Sequence, residues 1–125
     1  MINKLNQVKF EPMNEIHNNE LIVLNNLLEA IKNRENLDEK FKLFLNDVKH
    51  HFEFEQNLME KYNFFAKVPH TMEHDRIVDE LQKLDLNDYE GLENYFDTQF
   101  IPWLINHIDT MDTVTAGFFD MVGAK

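Results

Sequence analysis

Five of the six histidines in the sequence fall where a helix would turn them to the same side as its large apolar residues. His51 and Glu55 are four residues apart, about one helical turn, and so share a face. They lie in phase with Phe41, Phe44, Leu45, Val48, Phe52, Leu58, Met59 and Tyr62. A helix that buries that stripe must bury the pair with it. His70 and His74 repeat the four-residue spacing, in a segment continuing through Ile77, Leu81 and Leu84. His17 runs in phase with Leu21, Leu24, Leu28 and Ile31, and His107 with Phe100, Trp103, Leu104, Ile108 and Met111. His50 is rotated away and should face solvent.

Singly, each of these signals has a bland explanation. A lone inward histidine is most often a hydrogen-bonded core residue, and a histidine one turn before a glutamate is most often a local helix pair. Together they are harder to dismiss, because every buried imidazole or carboxylate without a partner carries a desolvation cost. A metal centre pairs all of them at once. Imidazole suits iron, copper, nickel and zinc, while carboxylates favour harder ions; the mixed set on bundle helices points toward iron. The candidate ligands are His17, His51, Glu55, His70, His74, His107 and Asp112. Asp112 follows His107 by five residues, a rotation of about 140° on a regular α-helix. For both to reach one centre, the sequence predicts a local π-type widening near Asp109–Asp112.

These side chains need rigid elements to hold them. The chain has 125 residues, 43% of them hydrophobic, with 11 Phe, 3 Tyr and 1 Trp, which suits one packed domain. Only 3 Gly and 3 Pro interrupt it, favouring a few long helices over many short strands. Four helices are expected. The first spans about 14–34, with Asn14 as its cap after Pro12, and the second about 38–63. The third begins near Pro69, a residue suited to a first helical turn. The fourth begins after Asn87, with Glu90 as a capping-box-like partner. Pro102 should kink or restart that last helix. Residues 1–13 are expected as an arm laid across the helices, and 114–125 as a tail that frays or caps the end. The economical solution is an all-α, antiparallel up-down four-helix bundle with the metal site in its core.

Composition narrows the partners. The net charge is −11 with no basic run, which argues against nucleic acid. No apolar stretch approaches the roughly 20 residues of a membrane span. The opening MINKLNQVKF has no signal-peptide core, and without cysteine there are no disulfides or thiolate ligands. A cytoplasmic protein is expected, monomeric or a small homo-oligomer.

The whole constellation resembles the hemerythrin family, whose pattern is a His on the first helix, HxxxE on the second, HxxxH on the third and HxxxxD on the fourth. Here these are His17, His51 to Glu55, His70 to His74, and His107 to Asp112, with matching neighbours at Phe52, Leu58-Met59, Glu73 and Trp103-Leu104. The resemblance implies two iron ions. His70, His74 and His107 would hold one, His17 and His51 the other, with Glu55, Asp112 and a solvent-derived oxo or hydroxo group bridging them. The second ion would then keep an open position for dioxygen, walled by Phe52, Trp103, Leu104 and Ile108. Reversible dioxygen binding for storage, delivery or scavenging is the implied function. A di-iron oxidase, peroxidase or nitric-oxide-handling enzyme is the main alternative, and an oxygen or iron sensor a third.

The first helix departs from the family pattern. Glu20 stands three residues after His17, where an apolar residue is usual, and Ile16 precedes the histidine in place of Gln. Either Glu20 turns inward to touch or gate the centre, or it leans outward while Leu21 takes the inward place.

Overall fold

Long stretches free of Gly and Pro produce long helices in the computed structural model, which describes residues 4–125. Helix α1 spans Glu11–Asn33, α2 Leu37–Lys61 and α3 Lys67–Gln82. The fourth helix is unbroken from 89 to 122 but changes its winding twice. It comprises α4 (Tyr89–Tyr95), a π segment (Phe96–Phe100), α5 (Ile101–His107), a second π segment (Ile108–Asp112) and α6 (Thr113–Val122). Among the described residues there is no strand, and the four helices form an all-α four-helix bundle. Short links, at 34–36, 62–66 and 83–88, join neighbours in the antiparallel manner. Among the described residues no helix is long and apolar enough to cross a membrane.

The apolar faces meet in one core, with aromatic clusters toward the two ends of the bundle. At one end Phe44, Phe96 and Phe100 pack edge to face, with centroids 5.4–5.8 Å apart. At the other, Phe10 meets Phe119 at 5.2 Å and Phe64 meets Phe118 at 4.9 Å. The polar cluster lies between these aromatic plugs.

Several helix ends differ from the sequence expectation, each for a local reason. Helix α1 starts at Glu11, so Asn14 is no cap; Pro12 occupies the first turn, where its missing N–H costs nothing. Asn14 instead clips the arm: its Oδ1 accepts from the Val8 amide at 2.8 Å and its Nδ2 donates to the Val8 carbonyl at 2.9 Å. That clip lays Leu5, Val8 and Phe10 into the core, while residues 1–3 of the expected arm lie outside the described residues. Helix α3 begins at Lys67, two residues before Pro69, which still falls within the first turn. Asp88 rather than Asn87 caps α4, accepting from the Gly91 amide at 3.0 Å. The tail is not frayed. Residues 113–122 continue the helix because Ala116 and Phe119 have an apolar face to bury, and Gly123 ends it at φ 65°.

Pro102 does not interrupt the helix, but α winding restarts at it: it lies in the first turn of α5, directly after the first π segment. The π segment just before it widens the turn, so the absent amide falls where the hydrogen-bond ladder is already shifting, and the Thr98 hydroxyl donates to the Asn94 carbonyl at 2.7 Å.

Candidate metal centre

All seven candidate ligands are buried, none more than 3% exposed, and each of the four helices contributes. Helix α1 brings His17; α2 brings His51 and Glu55; α3 brings His70 and His74; the fourth helix brings His107 and Asp112. Their donor atoms converge as two overlapping groups, each mutually within 4.8 Å. One contains His70, His74, His107, Glu55 and Asp112, the other His17, His51, Glu55 and Asp112. Both carboxylates belong to both groups. His50 is exposed, as its phase requires.

The π segment at Ile108–Asp112 makes this possible. About 140° of rotation in a regular helix becomes roughly 50° when the turn holds an extra residue, so Asp112 comes under His107. Asp112 Oδ1 lies 3.1 Å from Nε2 of both His107 and His70, and Oδ2 lies 3.2 Å from His17 Nε2. The widened turn displaces carbonyls from their usual partners, and threonine hydroxyls serve them: Thr110 donates to Asn106 and Thr113 to Ile108, both at 2.7 Å.

The donor set fits a metal better than it fits itself. His17 Nε2, His74 Nε2, Glu55 Oε1 and both Asp112 oxygens are buried and close to one another, yet none has hydrogen-bond geometry to a partner. His70 Nε2 and His107 Nε2 face each other at 3.1 Å, a separation that suits two ligands of one ion. Unpaired buried donors that converge on common points are compatible with cations between them.

Proton balance in the cluster follows from burial and charge. Burial opposes charging of His51, but the Glu20 and Glu55 carboxylates outweigh it and raise the imidazole well above its usual range. Burial is likewise overcome at His70, which Asp112 and Glu55 lift to about 9. His74 moves the other way, lowered chiefly by burial. Glu55 and Asp112 are held below the ordinary carboxylate range, the surrounding imidazoles overcoming their burial.

A further layer orients the rings. Thr115 Oγ1 donates to the Met111 carbonyl at 2.8 Å and therefore accepts from His70 Nδ1 at 2.9 Å, which leaves Nε2 facing the cluster. The Gln56 amide lies 3.2 Å from His74 Nδ1. Phe52 stacks flat on His74 at 3.8 Å and meets His51 at 5.2 Å. Trp103 stacks on His107 at 4.6 Å, and its indole donates to Glu73 at 2.7 Å. Glu73 is itself fixed by Arg76, which holds its carboxyl down at about 2. Leu104 and Ile108 are buried beside this layer. Apolar periodicity does not mark Gln56, Glu73 or Thr115; the family resemblance includes Glu73, while for Gln56 and Thr115 a position within three residues of a candidate ligand is the available signal.

Glu20 turns inward and is 1% exposed, so the outward placement does not occur. Its Oε2 lies 3.0 Å from His51 Nδ1, the ring nitrogen remote from Glu55, and it belongs to neither ligand group.

Fold and site together define a helical bundle with a buried cluster of imidazoles and carboxylates compatible with metal. Comparison agrees: over 122 residues the chain is 31% identical to a bacteriohemerythrin of Aquifex aeolicus (strain VF5), covering 91% of this chain and 92% of that one. No protein-family model matches the chain, and no solved structure matches it. The chain belongs to the hemerythrin family.

Proposed function

We propose that this protein binds dioxygen reversibly at two iron ions joined by an oxo or hydroxo bridge. The observation that carries the reading is the pair of overlapping donor groups, one with three imidazoles and one with two, sharing Glu55 and Asp112. His70, His74 and His107 would hold the first ion and His17 and His51 the second, the smaller set leaving room for one more ligand. When bound, such a pair in its reduced form supplies two electrons and a free coordination position to dioxygen.

The chain's own residues supply the rest. Five imidazoles would set the donor field, and Glu55 and Asp112, common to both groups, would serve both ions. Phe52, Leu104 and Ile108, all buried, keep water from the centre, which slows proton delivery and favours release of the gas over its conversion. Trp103, pinned through Glu73, closes the His107 side.

The test is a visible spectrum. Iron-loaded protein is reduced without air, exposed to air and then evacuated. A coloured adduct that fades under vacuum and returns on re-aeration is expected. Irreversible conversion to the ferric form, with peroxide made or consumed, would favour an oxidase or peroxidase instead.

A further inference from the structure

The centre has one buried acid that neither donor group uses. Glu20 is 1% exposed, and the partner its carboxylate faces is the Nδ1 of His51 at 3.0 Å. A carboxylate only accepts, so His51 must carry its proton on Nδ1 and present Nε2 to the cluster, where Glu55 Oε2 lies 2.5 Å away. The other imidazoles with identified outer partners have neutral ones, the Thr115 hydroxyl behind His70 and the Gln56 amide beside His74. His51 alone among these three rings is backed by a charge. The backing falls on the two-imidazole half, the side with the fewest donors.

We propose that Glu20 is a positioning residue that fixes the His51 ring and gives it anionic character, biasing the two-imidazole half of the centre toward its more oxidised state. The physical basis is twofold. An acceptor drawing on Nδ1–H makes Nε2 a stronger donor, and stronger donation favours the higher charge on the metal. In addition, Glu20 brings a third carboxylate into a core that already holds Glu55 and Asp112, and a buried negative charge near a cation favours the state of higher positive charge. An apolar residue at position 20 would do neither. This chain is thereby tuned to surrender electrons more readily than one with a leucine there.

The inference rests on the di-iron reading, so its test begins with wild-type chain loaded with iron and assayed for metal content. Two irons per chain is the precondition; one or none overturns the di-iron reading and this inference with it. Glu20→Gln, nearly the same shape, keeps an acceptor for His51 and removes the charge, while Glu20→Leu removes both. Midpoint potential is read by a spectroscopically monitored reductive titration, and the rate of oxidation in air is measured separately. Both variants are expected to shift the ferrous–ferric balance toward ferrous, by about tenfold for Glu20→Leu, equivalent to about 59 mV for a one-electron step. Oxidation in air slows in the same order, with Glu20→Gln intermediate. Two irons per chain in Glu20→Gln with an unchanged potential overturns the proposal, whether or not Glu20→Leu folds. Failure of Glu20→Gln to retain iron, while its helical content is unchanged, also overturns it, because the charge would then be needed to hold the metal rather than to set its oxidation state.

Discussion

At the scale of single residues, the candidate donor atoms divide into those that belong to one of the two groups and those that belong to both. His17 contributes to the two-imidazole group alone, whereas Asp112 lies within reach of His17, His70 and His107. Substituting them should therefore have unequal effects. His17→Ala leaves every donor of the three-imidazole group in place, and iron content is expected to fall from two per chain to one. Asp112→Ala takes a donor from both groups and should bring iron content below one. Metal analysis of purified, iron-loaded variants checks this, and equal losses would contradict a shared carboxylate. The residues that orient the ligands form a softer class. Removing the Thr115 hydroxyl, as Thr115→Val, strips the acceptor from His70 Nδ1 without altering side-chain volume much, and is expected to weaken metal binding by about tenfold in a chelator competition.

At the scale of elements, the second π segment gives a prediction that a regular helix would reverse. An extra residue held in a widened turn can be removed without rotating the helix beyond it. Deleting Thr110 should convert Ile108–Asp112 to ordinary α winding, with Asp112 four places after His107 and still beneath it, and α6 still burying Ala116 and Phe119. The deletion is expected to change stability by no more than about 1 kcal/mol. In a regular helix the same deletion would turn Phe119 by about 100° out of the core and unfold the end of the bundle. Thermal melting followed by circular dichroism distinguishes the two. This widened turn is visible in the sequence because His107 and Asp112 are the wrong distance apart for one face, so a chemical demand exposes a backbone irregularity. The π segment at Phe96–Phe100 has no such pair of polar residues; only Pro102 marks it, and proline alone signals a disturbance without saying what kind. Asn14 misleads for a related reason. Its type fits a cap, but the arm's need to satisfy the Val8 amide and carbonyl outweighs that preference, and nothing local encodes a partner six residues upstream. Gly117 makes the tail read as weak, whereas its order comes from tertiary burial of Phe119, which helix propensity does not register.

For the whole molecule, seven polar side chains lie between two aromatic plugs, and under the proposed metal centre folding and metal loading would be coupled. The metal-free core must balance its own charges, and it does so with protons. His51 is raised well above the usual histidine range and His70 to about 9, while Glu55 and Asp112 remain ionised beside them. A histidine whose pKa is raised on folding stabilises the fold below its unfolded value, and that contribution disappears as pH rises through the folded value. For His70 the window runs from 6.5 to about 9. The carboxylates act in the opposite sense: held low in the fold, they stabilise it above their ordinary range and cease to do so as acid protonates them. In the proposed centre metal would replace the imidazole protons, so loading would release protons at neutral pH and the loaded form would have no imidazolium left to lose. The melting temperature of metal-free protein should therefore fall between pH 6.5 and 9 while that of iron-loaded protein holds, and the gap between them should widen across that interval. Paired calorimetric scans of the two forms at several pH values measure it. A gap that stays constant or narrows toward pH 9 would mean that protons do not substitute for metal in this core, and that the metal-free bundle balances its buried carboxylates by other means.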